Sequence, residues 1–180
     1  PQCSPSRLPP CRRRAAAARH LQSSQMASML KLHTELGVIT LRFLPQAAPV
    51  TVEYITKLVG HQLYNNSTFY RSDFVIQCGT HGLGRVNPEG DLKVNETATH
   101  ARVSNTRGTA AIAHWDVPDC GNSEFFINLK ANTHLDDAYG GYCVFAQVQD
   151  DESFKVVDAI SEAIASKRST TITIQAATCE

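Results

Sequence analysis

Within seven residues the chain places one arginine (Arg71), an apolar pair (Phe74-Val75) and a glutamine (Gln77). Further on, Asn122-Ser123-Glu124-Phe125-Phe126-Ile127-Asn128 sets an aromatic pair inside a strand pattern. A guanidinium stays charged and offers several N–H donors on a rigid plane. Beside an apolar pocket it can polarise a bound group without attacking it. Other chemistries find less support. His20, His33, His61, His81, His100, His114 and His134 show neither HxH nor HxxxH spacing, so no metal centre is expected. Gly79-Thr80-His81-Gly82-Leu83-Gly84 lacks the Gly-Lys-Ser/Thr of a phosphate loop. Ser123, His114 and Asp116 make a hydrolase triad only on paper, because no GxSxG elbow presents the serine.

Short strands must position these residues. Leu30, Leu32, Val38, Thr40 and Arg42 alternate around Glu35-Leu36-Gly37, a hairpin signal. Pro49 suits the first turn of a helix, and Val50, Tyr54, Ile55, Leu58 and Val59 give it an apolar stripe. Residues 67–78 read as two short strands and residues 79–108 as loop. Thr109–Ala113, Phe125–Leu129 and Tyr142–Val148 read as strands. Asp150, Asp151 and Glu152 put acids at the start of a second helix, with Phe154, Val157 and Ile160 on its buried edge. Thr170–Ile174 is a closing strand. Many short strands with only two helices predict a mainly β domain, a closed antiparallel barrel capped by the two helices. Trp115, the only tryptophan, either rims a groove or caps the barrel.

Over residues 29–179 these motifs resemble the cyclophilin-type peptidyl-prolyl cis-trans isomerases. The segments Asn105-Thr106-Arg107-Gly108-Thr109 and Gly141-Tyr142-Cys143-Val144-Phe145 look most like bacterial-type single-domain members. The resemblance implies an eight-stranded barrel and isomerisation of X–Pro bonds in peptides and unfolded proteins, assisting folding, with no cofactor. Arg71 matches the family's catalytic arginine, and Gln77 the glutamine beside it. Phe74, Val75, Phe126 and Leu135 match the pocket for the proline ring. Ala113 and His114 match the segment that receives the residue before proline, and Tyr142 stands where members carry His or Tyr. The alternative is a proline-peptide binding module with little or no turnover.

Four departures bear on that choice. Arg71 and Gln77 lie six apart where the family spaces them by eight, an even deletion that preserves strand parity. Glu124 replaces the usual Gln and is expected near Arg71, as an ion pair that either orients the guanidinium or competes for it. His134 replaces an aromatic Trp or Phe that contacts cyclosporin in family members, so weak cyclosporin binding is expected. Cys78 and Thr80 break a Gly-Gly pair.

Bulk properties set the remaining bounds. The chain is 42% hydrophobic and 19% charged, as globular proteins are. Five of its 17 basic residues, all Arg, lie in residues 1–25, which hold no acid. The rest carries 12 basic against 17 acidic groups, a net of −5, so no nucleic-acid partner is expected. No apolar run is long enough to span a membrane. Six cysteines without CxxC spacing read as free thiols. Residues 1–28 are expected to be a basic, disordered extension and 29–180 the isomerase domain. A cytoplasmic location is expected, or a mitochondrial or plastid one if residues 1–25 act as a transit peptide. A monomer is the default.

Overall fold

The computed structural model describes residues 27–180, so the basic segment and the transit-peptide reading of residues 1–25 lie outside the described residues. Strands β1 (Met29–Thr34) and β2 (Gly37–Phe43) form the expected hairpin, paired from Met29↔Arg42 to Thr34↔Gly37. The Thr34 hydroxyl holds its turn, donating to the Gly37 carbonyl at 2.7 Å and accepting from the Leu36 N–H at 3.2 Å. Six more strands follow: β3 (Ser67–Ser72), β4 (Val75–Gly79), β5 (Thr109–Ile112), β6 (Phe125–Asn128), β7 (Val144–Val148) and β8 (Ile172–Cys179). They close an antiparallel barrel in the order β1-β2-β7-β5-β6-β4-β3-β8. The closing strand runs further than residues 170–174, to Cys179. It must pair with β1 along nearly its whole length (Leu30↔Cys179 to Thr34↔Ile174) and also with β3 (Ser67↔Ile174).

Successive residues of a strand point to opposite faces. In the wall made by β4, β6, β5 and β7 both faces are buried, which is why β5 and β6 show no polar alternation. Ile76, Ala110, Phe125, Ile127 and Phe145 point into the main core. Their neighbours Val75, Ala111, Phe126 and Val144 belong to a second apolar cluster with Leu44, Ala47 and Leu135. The wall therefore packs a core on one side and carries a separate apolar floor on the other.

Helix α1 (Pro49–Gly60) packs against β7 and β8, and α2 (Asp151–Ala165) against β2, β3 and β4. Asp150 caps α2 by accepting from the Ser153 N–H at 2.8 Å. The stripe of α1 is rotated from the expected one: Val50 is 46% exposed, and Thr51 and Val52 turn inward instead. The reason lies in a distant residue. Helix α1 has no acid in its first turn and no side-chain cap of its own. Glu96, buried in the loop after β4, accepts from the N–H groups of Val50 (3.0 Å) and Thr51 (2.8 Å) and from the Thr51 hydroxyl (2.7 Å). These N–H groups have no partner within the helix, and a carboxylate suits the positive end of its dipole.

Replacing this carboxylate leaves the N–H and the hydroxyl of Thr51 buried without an acceptor. Glu96→Ala is expected to cost roughly 2–3 kcal/mol, the penalty of unmet buried donors. Urea denaturation followed by circular dichroism measures it.

Candidate active site

The apolar floor lies at the bottom of a cleft of about 650 Å³. Arg71, Phe74, Val75, Gln77, Ala113, His114, Glu124, Phe126, His134, Leu135 and Tyr142 all line it, so the site residues that the resemblance implies, with Glu124 and His134, face one space. Tyr70, His81 and Trp115 line it too. Trp115 rims the cleft and is 78% exposed.

Arginine and glutamine meet because of strand register. Arg71 on β3 is the direct cross-strand partner of Gln77 on β4, beyond a bulge between Phe69 and Arg71. The connection between the strands is tight: the Asp73 N–H donates to the Val75 carbonyl (3.0 Å), and Asp73 Oδ1 accepts from the Val75 N–H (3.1 Å). Asp73 Oδ2 takes the guanidinium, with Nε at 2.8 Å and Nη2 at 2.6 Å. Arg71 Nη1 donates to Gln77 Oε1 at 3.0 Å. Two of the five N–H donors of an arginine are thus engaged in hydrogen bonds and three are left. The guanidinium carbon stands 5.4 Å from the centre of the Phe74 ring. The shortened turn therefore carries its own anchor for Arg71. Asp73 is a site residue not among those expected from the sequence; the Arg-x-Asp spacing is the signal that points to it.

Glu124 does not pair with Arg71 as expected. Its Oε2 accepts from the Tyr70 hydroxyl at 2.7 Å and its Oε1 from the His81 N–H at 2.8 Å. Tyr70 in turn accepts from Gln77 Nε2 at 2.6 Å. Burial, and then the Glu124 carboxylate, push the Tyr70 pKa up, so the phenol keeps its proton. The carboxylate lies over Gly79, where a Cβ would collide with it. Of the Gly-Gly pair lost around Cys78 and Thr80, Gly79 is therefore the position with no room for a side chain.

The apolar end of the cleft hangs from a polar network. Phe126 floors it, with the Tyr142 ring at 5.6 Å. His134 stands edge-on to Phe74 at 5.7 Å. His134 and Leu135 sit in a short turn, Thr133–Asp136, held by Asp136. Asp136 Oδ1 accepts from the Asn105 backbone N–H (2.8 Å) and side-chain amide (2.9 Å), and Oδ2 from the Ser104 hydroxyl. Burial pushes the Asp136 pKa up, but these hydrogen bonds and the Arg102 charge outweigh it and leave the group below its ordinary value. Asn132 donates to the Phe74 carbonyl at 3.0 Å.

The far arm holds no catalytic triad. Ser123 is buried and bonded to the Thr80 hydroxyl at 2.6 Å. His114 stacks on Tyr142 at 4.2 Å, its ring nitrogens against the carbonyls of Trp115 (2.6 Å) and Gly141 (3.0 Å). Among the described residues, no three His, Cys, Asp or Glu side chains converge as metal ligands would. The arrangement offers a fixed cation with spare donors at the edge of an apolar pocket.

Comparison with known proteins gives the family and the fold. Residues 29–179 match the family model described as "Cyclophilin type peptidyl-prolyl cis-trans isomerase/CLD". The chain is 34% identical to peptidyl-prolyl cis-trans isomerase B of Escherichia coli, over 73% of this chain and 83% of that one. It is 36% identical to a peptidyl-prolyl cis-trans isomerase of Synechococcus elongatus, over 72% and 86%. The fold is similar to that of a Cryptosporidium parvum cyclophilin-type isomerase crystallised in the presence of the dipeptide Ala-Pro. The TM-score is 0.69 at 20% identity, covering 84% of this chain and 98% of that one.

A carboxylate held below its ordinary pKa stabilises the fold above its unfolded value and loses that contribution as pH falls through its folded one. For Asp136 the ordinary value is 3.8. Asp136→Asn is expected to destabilise the domain at neutral pH, and the gap to wild type is expected to close below about pH 4. Urea titrations at pH 7 and pH 3 compare the two.

Proposed function

The chain belongs to the cyclophilin-type peptidyl-prolyl cis-trans isomerase family and is an isomerase of X–Pro bonds; we propose that it does this work in the cleft around Arg71, on proline-containing peptides and unfolded proteins. Amide resonance opposes rotation of the bond with a barrier of about 18–20 kcal/mol. Halfway through rotation the prolyl nitrogen recovers its lone pair. A donor aimed at that nitrogen binds the twisted state and not the planar ones, which is the preference that lowers a barrier. Each tenfold in rate needs about 1.4 kcal/mol of it.

Arg71 is that donor in this reading, through the N–H groups that Asp73 and Gln77 leave free. Phe126, Val75, Leu135 and Phe74 take the proline ring and keep water from it. Ala113 and His114 receive the residue before proline, and the Tyr142 hydroxyl donates to bound peptide. The observation that carries the reading is the anchored guanidinium beside an apolar floor. We further propose weak cyclosporin binding, because the small imidazole of His134 stands at the pocket wall against Phe74.

NMR exchange spectroscopy of an Ala-Pro peptide tests the activity. Wild type is expected to accelerate cis/trans exchange, and Arg71→Ala to lose about a hundredfold, the usual cost of removing a preorganised donor. Peptide binding without faster exchange would make the domain a recognition module instead. For the drug, His134→Trp is expected to tighten cyclosporin binding by tenfold or more, about 1.4 kcal/mol, in a calorimetric titration. An unchanged affinity would remove His134 as the cause.

A further inference from the structure

We infer that Tyr70 and Glu124 are positioning residues for the reaction, holding the Gln77 amide in the one orientation that serves Arg71. The inference rests on the isomerase reading of Arg71. It follows from which groups can donate and which can only accept. An ionised carboxylate has no proton to give. The 2.7 Å contact between Tyr70 and Glu124 Oε2 is therefore donated by the phenol. A phenol has a single proton, so the 2.6 Å contact from Tyr70 to Gln77 is donated by the glutamine. That choice turns the NH₂ of Gln77 to Tyr70 and its Oε1 to Arg71. Arg71 has only protons to offer and donates to that oxygen at 3.0 Å.

The result is a chain of three bonds that all run one way, with a cation at one end and an anion at the other. Bonds aligned in this manner polarise one another in the same direction. The Glu124 end matters most when substrate is bound. Once a free N–H of Arg71 also donates to a prolyl nitrogen, the guanidinium's charge is shared and its pull on Gln77 weakens. A neutral amide at position 124 both donates and accepts, so it would then let Tyr70 and Gln77 reverse. Reversal would present the NH₂ of Gln77 to the guanidinium, donor against donor. The carboxylate forbids it. Glu124 is itself fixed, with Oε1 on the His81 N–H at 2.8 Å and Gly79 leaving room beneath. This gives Glu124 a role unlike either one expected of it beside Arg71, since it acts through two intervening side chains.

The experiment combines kinetics with side-chain NMR on Tyr70→Phe, Glu124→Gln and the double variant. Each single change is expected to lower kcat/KM on an Ala-Pro peptide by about tenfold, equivalent to about 1.36 kcal/mol of transition-state stabilisation. Peptide affinity should move less than twofold, a split that simple loss of structure would not produce. The double variant should be no worse than the poorer single one, because both cut one chain. The ¹⁵N-labelled side-chain amide of Gln77 is expected to be sharp in wild type and to shift and broaden in both single variants. Additive losses, unchanged rates, faster turnover in Glu124→Gln or an unmoved Gln77 signal would each overturn the inference. An active wild type that needs Arg71 but ignores Tyr70 sinks this inference alone. A wild type without exchange activity sinks the isomerase reading, and the positioning role with it.

Discussion

Asn128 ends β6 with no access to water. A buried amide group without a partner costs roughly 1–3 kcal/mol, so the surrounding chain has to come to it. Its Nδ2 donates to Asn105 Oδ1 and to the Thr109 hydroxyl, both at 3.0 Å, and its Oδ1 accepts from Asn132 at 2.8 Å. Those three contacts draw the start of β5, the loop before it and the segment after β6 to one point. Asn132 then holds the Phe74 carbonyl, and Asn105 holds Asp136. Phe74, His134 and Leu135 come from distant parts of the chain, and this amide cluster is what gathers them over Phe126.

The charged end of the cleft follows a different logic. Two carboxylates flank Arg71, and neither is buried against it. Asp73 grips the guanidinium directly from the turn that follows β3, while Glu124, just before β6 and two strands over, stands behind Tyr70 and Gln77. A turn shorter by two residues would be expected to loosen Arg71. Here the short turn brings an acid within reach of it, and strand register keeps Gln77 opposite. The deletion and its remedy occupy the same few residues.

How much of this can be read from the sequence depends on how local its cause is. The β1–β2 hairpin, the Pro49 start of α1 and the Asp150 cap of α2 are written in neighbouring residues and are legible there. The closed barrel and the lining residues of the cleft are legible through motifs, because the resemblance carries their spacing. What escapes is set by partners far along the chain. Nothing near Val50 announces that Glu96 will accept from its N–H and turn it outward. Nothing near Glu124 says that Tyr70 and His81 will claim it before Arg71 can. The length of β8 depends on two partner strands, so its own apolar pattern understates it. The two-sided wall is ambiguous for a related reason: Phe125 and Phe126 look alike in sequence, yet one fills the core and the other floors the cleft.

The position of Trp115 has an optical consequence. It is the only indole in the chain, and it stands 78% exposed on the cleft rim. The tryptophan emission of the protein is therefore the signal of one loop. A peptide that covers the rim would dry the indole and shift its emission to the blue. Melting the barrel would leave the same ring about as wet as before, so this fluorophore sees the arrival of a ligand far better than the loss of the fold.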